Sequence, residues 1–554
     1  MNHQRYKRAP VVNFPERTWP GREIVKAPIW CSVDLRDGNQ ALVEPMAVEA
    51  KVEMFNLLVK LGFREIEVGF PSSSRIEYDF LRTLVERRLI PDEVEIQVLV
   101  QCREHLIRRT FQALEGVKKA IVHIYNPTSA LQRDVVFHKN KEEIKAIAVT
   151  GTKLVQRYAS QCRTQVRLEY SPESFTGTEL EFALDVCSEV YETWGADRED
   201  PVIINLPATV EMTTPNVYAD RIEWMHSHFH NREGIILSVH PHNDRGEGVA
   251  ATELALLAGA DRVEGTLFGN GERTGNVDLL TVAYNMFSQG IDPELNLEQI
   301  GEISEIYQRC TGMDIPPRHP YAGDLVFTAF SGSHQDAINK GIQALHERKS
   351  SYWEVPYLPI DPRDIGREYE PVVRINSQSG KGGVAFVLDS FYGFKLPRGM
   401  HKEFADVIQN ISEQKGEVAP EEIMEAFKKN YLDRKEPIHF SRCHITDTET
   451  DKGECSTGVR LVYTDQGMEK WVQGVGNGPI DAVQRGLEEA LGIRIKVLDY
   501  TEHALSSGSG AQAASYIHLV DQESGKATYG VGISSNITRA SIRGIFSAVN
   551  RLFY

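Results

Sequence analysis

The sequence predicts an α/β fold: a closed (β/α)8 TIM barrel, then helical linker subdomains, then a C-terminal α+β domain of two βββα units. Three observations carry this expectation. Over roughly the first 270 residues, short β-branched runs alternate with longer amphipathic ones. Polar or unusual residues follow nearly every such run, as they do where a barrel gathers its chemistry at the C-terminal ends of its strands. Near the C-terminus Gly474-Val475-Gly476 recurs as Gly530-Val531-Gly532, each ahead of a helical pattern.

The candidate strands of the first part are 29–35, 65–70, 95–101, 120–125, 165–170, 202–206, 235–239 and 262–267. Between them lie apolar positions spaced by three and four, such as Val48, Val52, Phe55 and Val59, the period of a helix with one buried face. Eight such units fit a closed barrel. An open doubly wound sheet usually carries a glycine fingerprint after its first strand, where this chain has Arg36-Asp37-Gly38-Asn39-Gln40. The alternation stops near 280, and helical, loop-rich sequence follows. In the last part, strand-like runs 439–445, 459–463 and 471–473 precede the helical pattern Ile480, Val483, Leu487, Leu491. Runs 495–500, 514–520 and 528–529 precede Ile537, Ile542, Ile545, Val549 and Leu552. The expected division is 1–322 for the barrel, 323–430 for the linker subdomains and 431–554 for the terminal domain. Dimerisation or packing is the plain role for that last domain, and ligand sensing is the alternative.

Composition narrows the partners. The 554 residues are 41% hydrophobic and 25% charged, ordinary for a globular protein. A formal charge of −17 leaves no excess of Lys and Arg to neutralise phosphates, which argues against nucleic acid. The one basic cluster, 5–8, is short and terminal. No apolar run approaches the ~20 residues a membrane helix needs, and the N-terminus has no apolar signal core. Seven cysteines without a Cys-x-x-Cys pair read as reduced thiols in a cytoplasmic chain.

The chemistry concentrates in Leu35-Arg36-Asp37-Gly38 and His240-Pro241-His242-Asn243-Asp244, each closing a β-branched run. Residues two apart on a strand point the same way, so His240 and His242 present both imidazoles to one side. Asp37, His240, His242 and one Asn of the Gly-rich segment 269–276 form a candidate ligand set for Mg²⁺, Mn²⁺ or Zn²⁺ with positions left open. A metal held in this way polarises a carbonyl. Arg36, beside Asp37, is placed to counter negative charge on a reacting oxygen. Ser379-Gly380-Lys381-Gly382-Gly383 is not a phosphate loop: Ile375 stands where the first Gly belongs, and no hydroxyl follows Lys381.

Those motifs, with Glu67-Val68-Gly69-Phe70-Pro71-Ser72, resemble the α-isopropylmalate synthases of the metal-dependent Claisen-condensing and lyase barrels. Many members carry Glu at the position of Asn39; Asn39-Gln40-Ala41-Leu42 is similar to the longer bacterial and fungal type. The resemblance covers essentially the whole chain. It implies an acyltransferase that condenses acetyl-CoA with 2-oxoisovalerate and hydrolyses the thioester, inhibited by leucine and working as a homodimer. It implies Asp37, His240, His242 and Asn276 as ligands, with Mg²⁺ first, Mn²⁺ or Zn²⁺ as alternatives, and K⁺ as an activator. Arg36 would face the keto oxygen and Thr209 the substrate carboxylate, while His123 and Ser171 would line the pocket. Glu173 or His334 would be the base, and His334 and Tyr357 would come from the linker of a partner subunit. Gly476, Asn477, Gly478, Pro479 and Ile480, with Ala504 and Ala511, match positions that cradle the inhibitor, and loop 506–510 would fold over it.

Overall fold

The structure, a computed structural model, describes residues 2–5, 11–328, 332–369, 381–415, 418–432, 434–449, 455–506, 508 and 510–554. The basic 5–8 cluster, the 379–383 stretch and the 506–510 loop of the sequence reading fall partly outside these residues. The chain divides into two compact units, Met1–Val326 with Ser350–Glu368, and Phe327–Lys349 with Tyr369–Tyr554.

In the first unit eight strands close a barrel in sequence order, all parallel. They are β1 (Ile29–Ser32), β2 (Glu65–Gly69), β3 (Glu95–Gln101), β4 (Lys119–Pro127), β5 (Gln165–Glu173), β6 (Val202–Ala208), β7 (Ile235–Pro241) and β8 (Arg262–Gly265). The helices that follow them are α1 (Val48–Leu61), α2 (Arg75–Glu86), α3 (Glu104–Ala113), α4 (Lys141–Ala159), α5 (Leu180–Trp194), α6 (Pro215–His228), α7 (Gly248–Leu257) and α8 (Leu279–Ser288). Each buries an apolar stripe on the barrel; on α1 it is Val52, Phe55, Leu58 and Leu61. Local signals set the ends. Ser74 accepts the Glu77 amide at the start of α2, and Asn140 with Glu143 forms a reciprocal cap on α4. Gly62 ends α1 at a φ of 95°. A further helix, α9 (Ile300–Thr311), packs against α1.

Strand ends depart from the sequence expectation where the chemistry sits. β1 stops at Ser32 and the chain winds into a wide turn over Asp34–Gly38, in which the Val33 carbonyl accepts the amides of Arg36, Asp37 and Gly38. β8 stops at Gly265, two residues short of the expected end. β4, β5, β6 and β7 instead run beyond it, carrying Asn126, Ser171, Pro207 and His240 on extended backbone.

The second unit holds α10 (Gly332–Arg348), α11 (Lys381–Tyr392), α12 (Arg398–Lys415), α13 (Pro420–Asn430) and the two βββα repeats. The first repeat is β9 (Ile438–Glu449), β10 (Cys455–Asp465), β11 (Met468–Gly476) and α14 (Pro479–Leu491), with sheet order β11-β10-β9. The second is β12 (Ile495–Ala504), β13 (Ala513–Asp521), β14 (Ala527–Ser534) and α15 (Ile537–Phe553), with order β12-β13-β14. Phe394, Phe404, Phe427 and Tyr431 form an aromatic core with Tyr516 and Val531 of the second sheet, and the Arg551 guanidinium lies 3.8 Å over the Tyr431 ring. Among the described residues no helix is long and apolar enough to cross a membrane.

Candidate active site

The barrel interior is polar beneath its mouth, and the cause is visible in the strands. β2, β3, β5 and β8 each carry two polar residues two apart: Glu65 and Glu67, Glu95 and Gln97, Arg167 and Glu169, Arg262 and Glu264. Their partners one residue on, such as Ile66, Val98, Leu168 and Val263, are buried. Arg262 has no exposed surface. Its Nε donates to Glu65 (2.5 Å), Nη1 to Ser238 and Glu264 (both 2.9 Å), and Nη2 to Gln97 (2.7 Å).

Above this layer the strand ends converge. Asp37 Oδ2 lies 3.4 Å from His240 Nε2 and 3.8 Å from His242 Nε2. It is buried without a hydrogen-bond partner, and so is Asn276 Oδ1. Asn276 bridges His242 through the backbone, and its amide nitrogen donates to the Asn270 carbonyl at 3.0 Å, which commits the nitrogen and leaves the oxygen over. The 269–276 loop needs its glycines for this packing. Gly271 and Gly275 have φ of 157° and 97°, and a Cβ would strike Asn276 at the first and the Gly269 carbonyl at the second. Orphaned buried oxygens beside two imidazoles fit a divalent cation.

Arg36 is clamped next to them. Its Nη1 donates to Asp37 at 2.5 Å and its Nε to Glu67 at 2.6 Å. Burial alone would raise the Asp37 carboxyl, yet Arg36, with His240 and His242, holds it well below the ordinary carboxylate range. His240 is pushed up to about 9: burial disfavours its charge, but the Asp37 and Glu264 carboxylates facing its two ring nitrogens outweigh that. His242 is pushed down to about 4 by burial and by the neighbouring His240. Opposite, burial raises the Glu173 carboxyl while Arg36 opposes the rise.

A cavity of about 220 Å³ opens here. Arg36, Asp37, His123, Ser171, Glu173, Thr209, His240 and His242 of the sequence-nominated residues line it. His123 Nδ1 faces Glu67 at 3.1 Å and its Nε2 faces the Ser171 hydroxyl at 2.7 Å. Thr209 accepts the Ser174 amide at 2.9 Å. Among the described residues the lining comes from the barrel alone. Tyr357 lies elsewhere in the first unit, 62% exposed at a left-handed turn, and His334 is exposed on α10 of the second unit. Gly476, Asn477, Gly478, Pro479 and Ile480 form the β11–α14 turn of one terminal sheet, whereas Ala504 and Ala511 flank the β12–β13 turn of the other.

Residues not nominated as site residues from sequence complete the wall: Gln40, Leu99, Tyr125, Asn205, Pro207, Glu272 and Arg273. Leu99 pairs in register with His123 and Pro207 with His240, a signal that exists only once the register is known. Gln40 donates to Glu272 at 3.1 Å, and Arg273 donates to Asp244 and to the Thr209 carbonyl, both at 2.6 Å, joining loops around the mouth.

Asp34 ties the Asp34–Gly38 turn to the segment after β8. Both its oxygens accept the Leu267 amide at 3.1 Å, and Ser32 donates to it at 2.8 Å. Burial raises its carboxyl from 3.8 to about 7. The unfolded chain releases this proton near pH 4 and the folded chain only near 7, so stability falls as pH rises between those values and levels off above them. Asp34→Asn has no such proton. The excess in thermal midpoint of the wild type over this variant is therefore expected to shrink between about pH 4 and 7, and a constant difference would mean that Asp34 is ionised throughout.

Comparison with known proteins extends these observations to the whole chain. An HMGL-like family model matches residues 27–306. A model of the alpha-isopropylmalate synthase post-catalytic domain matches 324–389, and one of the LeuA allosteric (dimerisation) domain matches 417–553. A 2-isopropylmalate synthase of Clostridium acetobutylicum is 52% identical over 556 residues, covering 100% of this chain and 99% of its own. One from Agrobacterium fabrum is 53% identical over 552 residues, covering 99% and 98%. One from Corynebacterium efficiens is 52% identical over 557 residues, covering 98% and 95%. Likeness of this degree runs unbroken through barrel, helical segment and terminal repeats, and by it the chain belongs to the 2-isopropylmalate synthase family.

Proposed function

We propose that the chain condenses acetyl-CoA with 2-oxoisovalerate and water to give 2-isopropylmalate and CoA, the first committed step toward leucine, and that leucine inhibits it. The observation that carries this reading is the convergence of Asp37, His240 and His242 beside Arg36, in a chain akin end to end to synthases of that name. In this reading Asp37, His240, His242 and Asn276 hold a divalent cation, with Mg²⁺ ahead of Mn²⁺ and Zn²⁺, and K⁺ assists as an activator. The cation polarises the keto carbonyl when bound.

The chain's own groups do the rest. Arg36 is fixed by Asp37 and Glu67 through Nη1 and Nε, which leaves Nη2 to meet charge developing on the keto oxygen. Thr209 receives the substrate carboxylate, and His123 and Ser171 line the pocket. The acetyl methyl group is a weak carbon acid, so a base must remove its proton. Glu173 suits this because burial raises its carboxyl above the ordinary value, which makes it a stronger base, and His334 is the other candidate, with Tyr357 assisting. The carbon nucleophile attacks the keto carbon, and water then cleaves the thioester. We divide the chain as 1–322 catalytic, 323–430 linker and 431–554 regulatory, working as a cytoplasmic homodimer.

The test is release of free thiol from acetyl-CoA with 2-oxoisovalerate, 2-oxoglutarate or pyruvate, each with and without Mg²⁺. Release with 2-oxoisovalerate that requires the cation is expected; release with 2-oxoglutarate alone would overturn the assignment.

Leucine binding is placed at Gly476, Asn477, Gly478, Pro479 and Ile480 with Ala504 and Ala511. Gly478 sits on extended backbone at the start of α14, where an added Cβ meets nothing within 4 Å. Gly478→Asp therefore folds normally and sets a carboxylate against the amides that would receive that of leucine. Turnover is expected to persist while leucine sensitivity is lost. Unchanged inhibition would move the site elsewhere.

A further inference from the structure

Below His240 one carboxylate makes more contacts than any single role requires. Glu264 Oε2 accepts His240 Nδ1 at 2.7 Å and Asn205 Nδ2 at 3.1 Å. Its Oε1 accepts Gln97 Nε2 at 2.8 Å and Arg262 Nη1 at 2.9 Å. Four donors on two oxygens use all the lone pairs a carboxylate has. Glu264 has no exposed surface.

The four contacts lead to different places. Through Nδ1 the carboxylate fixes which His240 nitrogen carries hydrogen, and it turns Nε2 toward Asp37, 3.4 Å away. Through Asn205 it reaches the cavity wall, because the same Asn205 nitrogen donates to Ser171 Oγ at 3.0 Å, and Ser171 meets His123 at 2.7 Å. Through Arg262 it is anchored to Glu65 of β2, on the other side of β1. His123, Glu169 and Glu264 also stand close enough to resemble a second metal cluster. Arg262 supplies positive charge there, 2.9 Å from Glu264 and 3.4 Å from Glu169.

We propose that Glu264 is the positioning residue that aims His240 Nε2 at the cation and links that ligand, through Asn205 and Ser171, to the wall of the substrate pocket. This rests on the metal-dependent reading above. Glu264 touches neither cation nor substrate, and it acts by holding a ligand and a wall residue in one frame.

The experiment is calorimetric titration of Mn²⁺ into metal-stripped, full-length protein: wild type, Glu264→Gln, Glu264→Asp and Glu65→Gln. Glu264→Gln keeps the shape but turns an acceptor into a donor facing His240 or Arg262. Its Mn²⁺ affinity is expected to fall about 10- to 100-fold, with Glu264→Asp between it and the wild type. Glu65→Gln disturbs the same buried layer on the far side of Arg262 and is expected to lower the thermal midpoint while leaving Mn²⁺ affinity unchanged. Equal affinity in wild type and Glu264→Gln, or an equal loss in Glu65→Gln, would overturn the proposal. Absence of Mn²⁺ binding by the wild type would instead fail the metal-dependent reading. Should the Glu264 variants not fold, the wild-type crystal structure with Mn²⁺ decides: His240 is expected on the ion through Nε2, with Glu264 within about 3.2 Å of Nδ1. Ligation through Nδ1, or Glu264 turned away, would overturn the proposal.

Discussion

Replacing His242 by alanine is expected to lower turnover by at least about 10³-fold and to leave a folded chain, since a Lewis acid is worth several kcal/mol of transition-state stabilisation. The fold should tolerate the change. His242 is buried, but its Nδ1 has no hydrogen-bond partner, so truncation strands no donor or acceptor elsewhere. Thiol-release kinetics and circular dichroism on the purified variant check both halves. Turnover within about tenfold of wild type would remove His242 from the reaction.

Arg36→Lys is expected to cost about 10² to 10³ in kcat, with a smaller change in KM for the keto acid. The charge survives the substitution, but the fork does not. An ammonium has three N–H groups, but all on one nitrogen, so it cannot reproduce the separate Nη1 and Nε contacts to Asp37 and Glu67 with a third nitrogen held in the same plane toward the pocket. Steady-state kinetics with 2-oxoisovalerate varied at saturating acetyl-CoA give the split. A loss confined to KM would make Arg36 a binding group whose contact is equal in ground and transition states.

The barrel was legible from sequence because its outer strand faces are apolar and its helices repeat at three and four, patterns that survive without tertiary knowledge. The His-x-His pair was legible for the same reason, since a period of two puts both rings on one side. The exact strand ends were not. The turn at Asp34–Gly38 depends on one carbonyl serving three amides, a feature of geometry rather than of residue type. The polar layer was missed although its trace is plain: Glu65 and Glu67, Arg167 and Glu169, Arg262 and Glu264 alternate with apolar neighbours. In an open sheet that alternation marks a face in water, and only closure of the barrel turns the same face inward. Asn205, Glu264 and Gln97 escaped notice because each looks ordinary until its partners, from other strands, are known.

Dissolved ions have no route to the guanidinium of Arg262, which shows no surface to solvent. Pairs on the outside, such as Lys60 with Glu302, stand in the ionic atmosphere and weaken as ionic strength climbs, because the screening length falls from about 10 Å at about 0.1 M salt to about 3 Å at about 1 M. The interior pairs keep their strength in either medium. Salt therefore separates the two populations of charge in this molecule: it loosens the coat and spares the frame on which the strand ends rest.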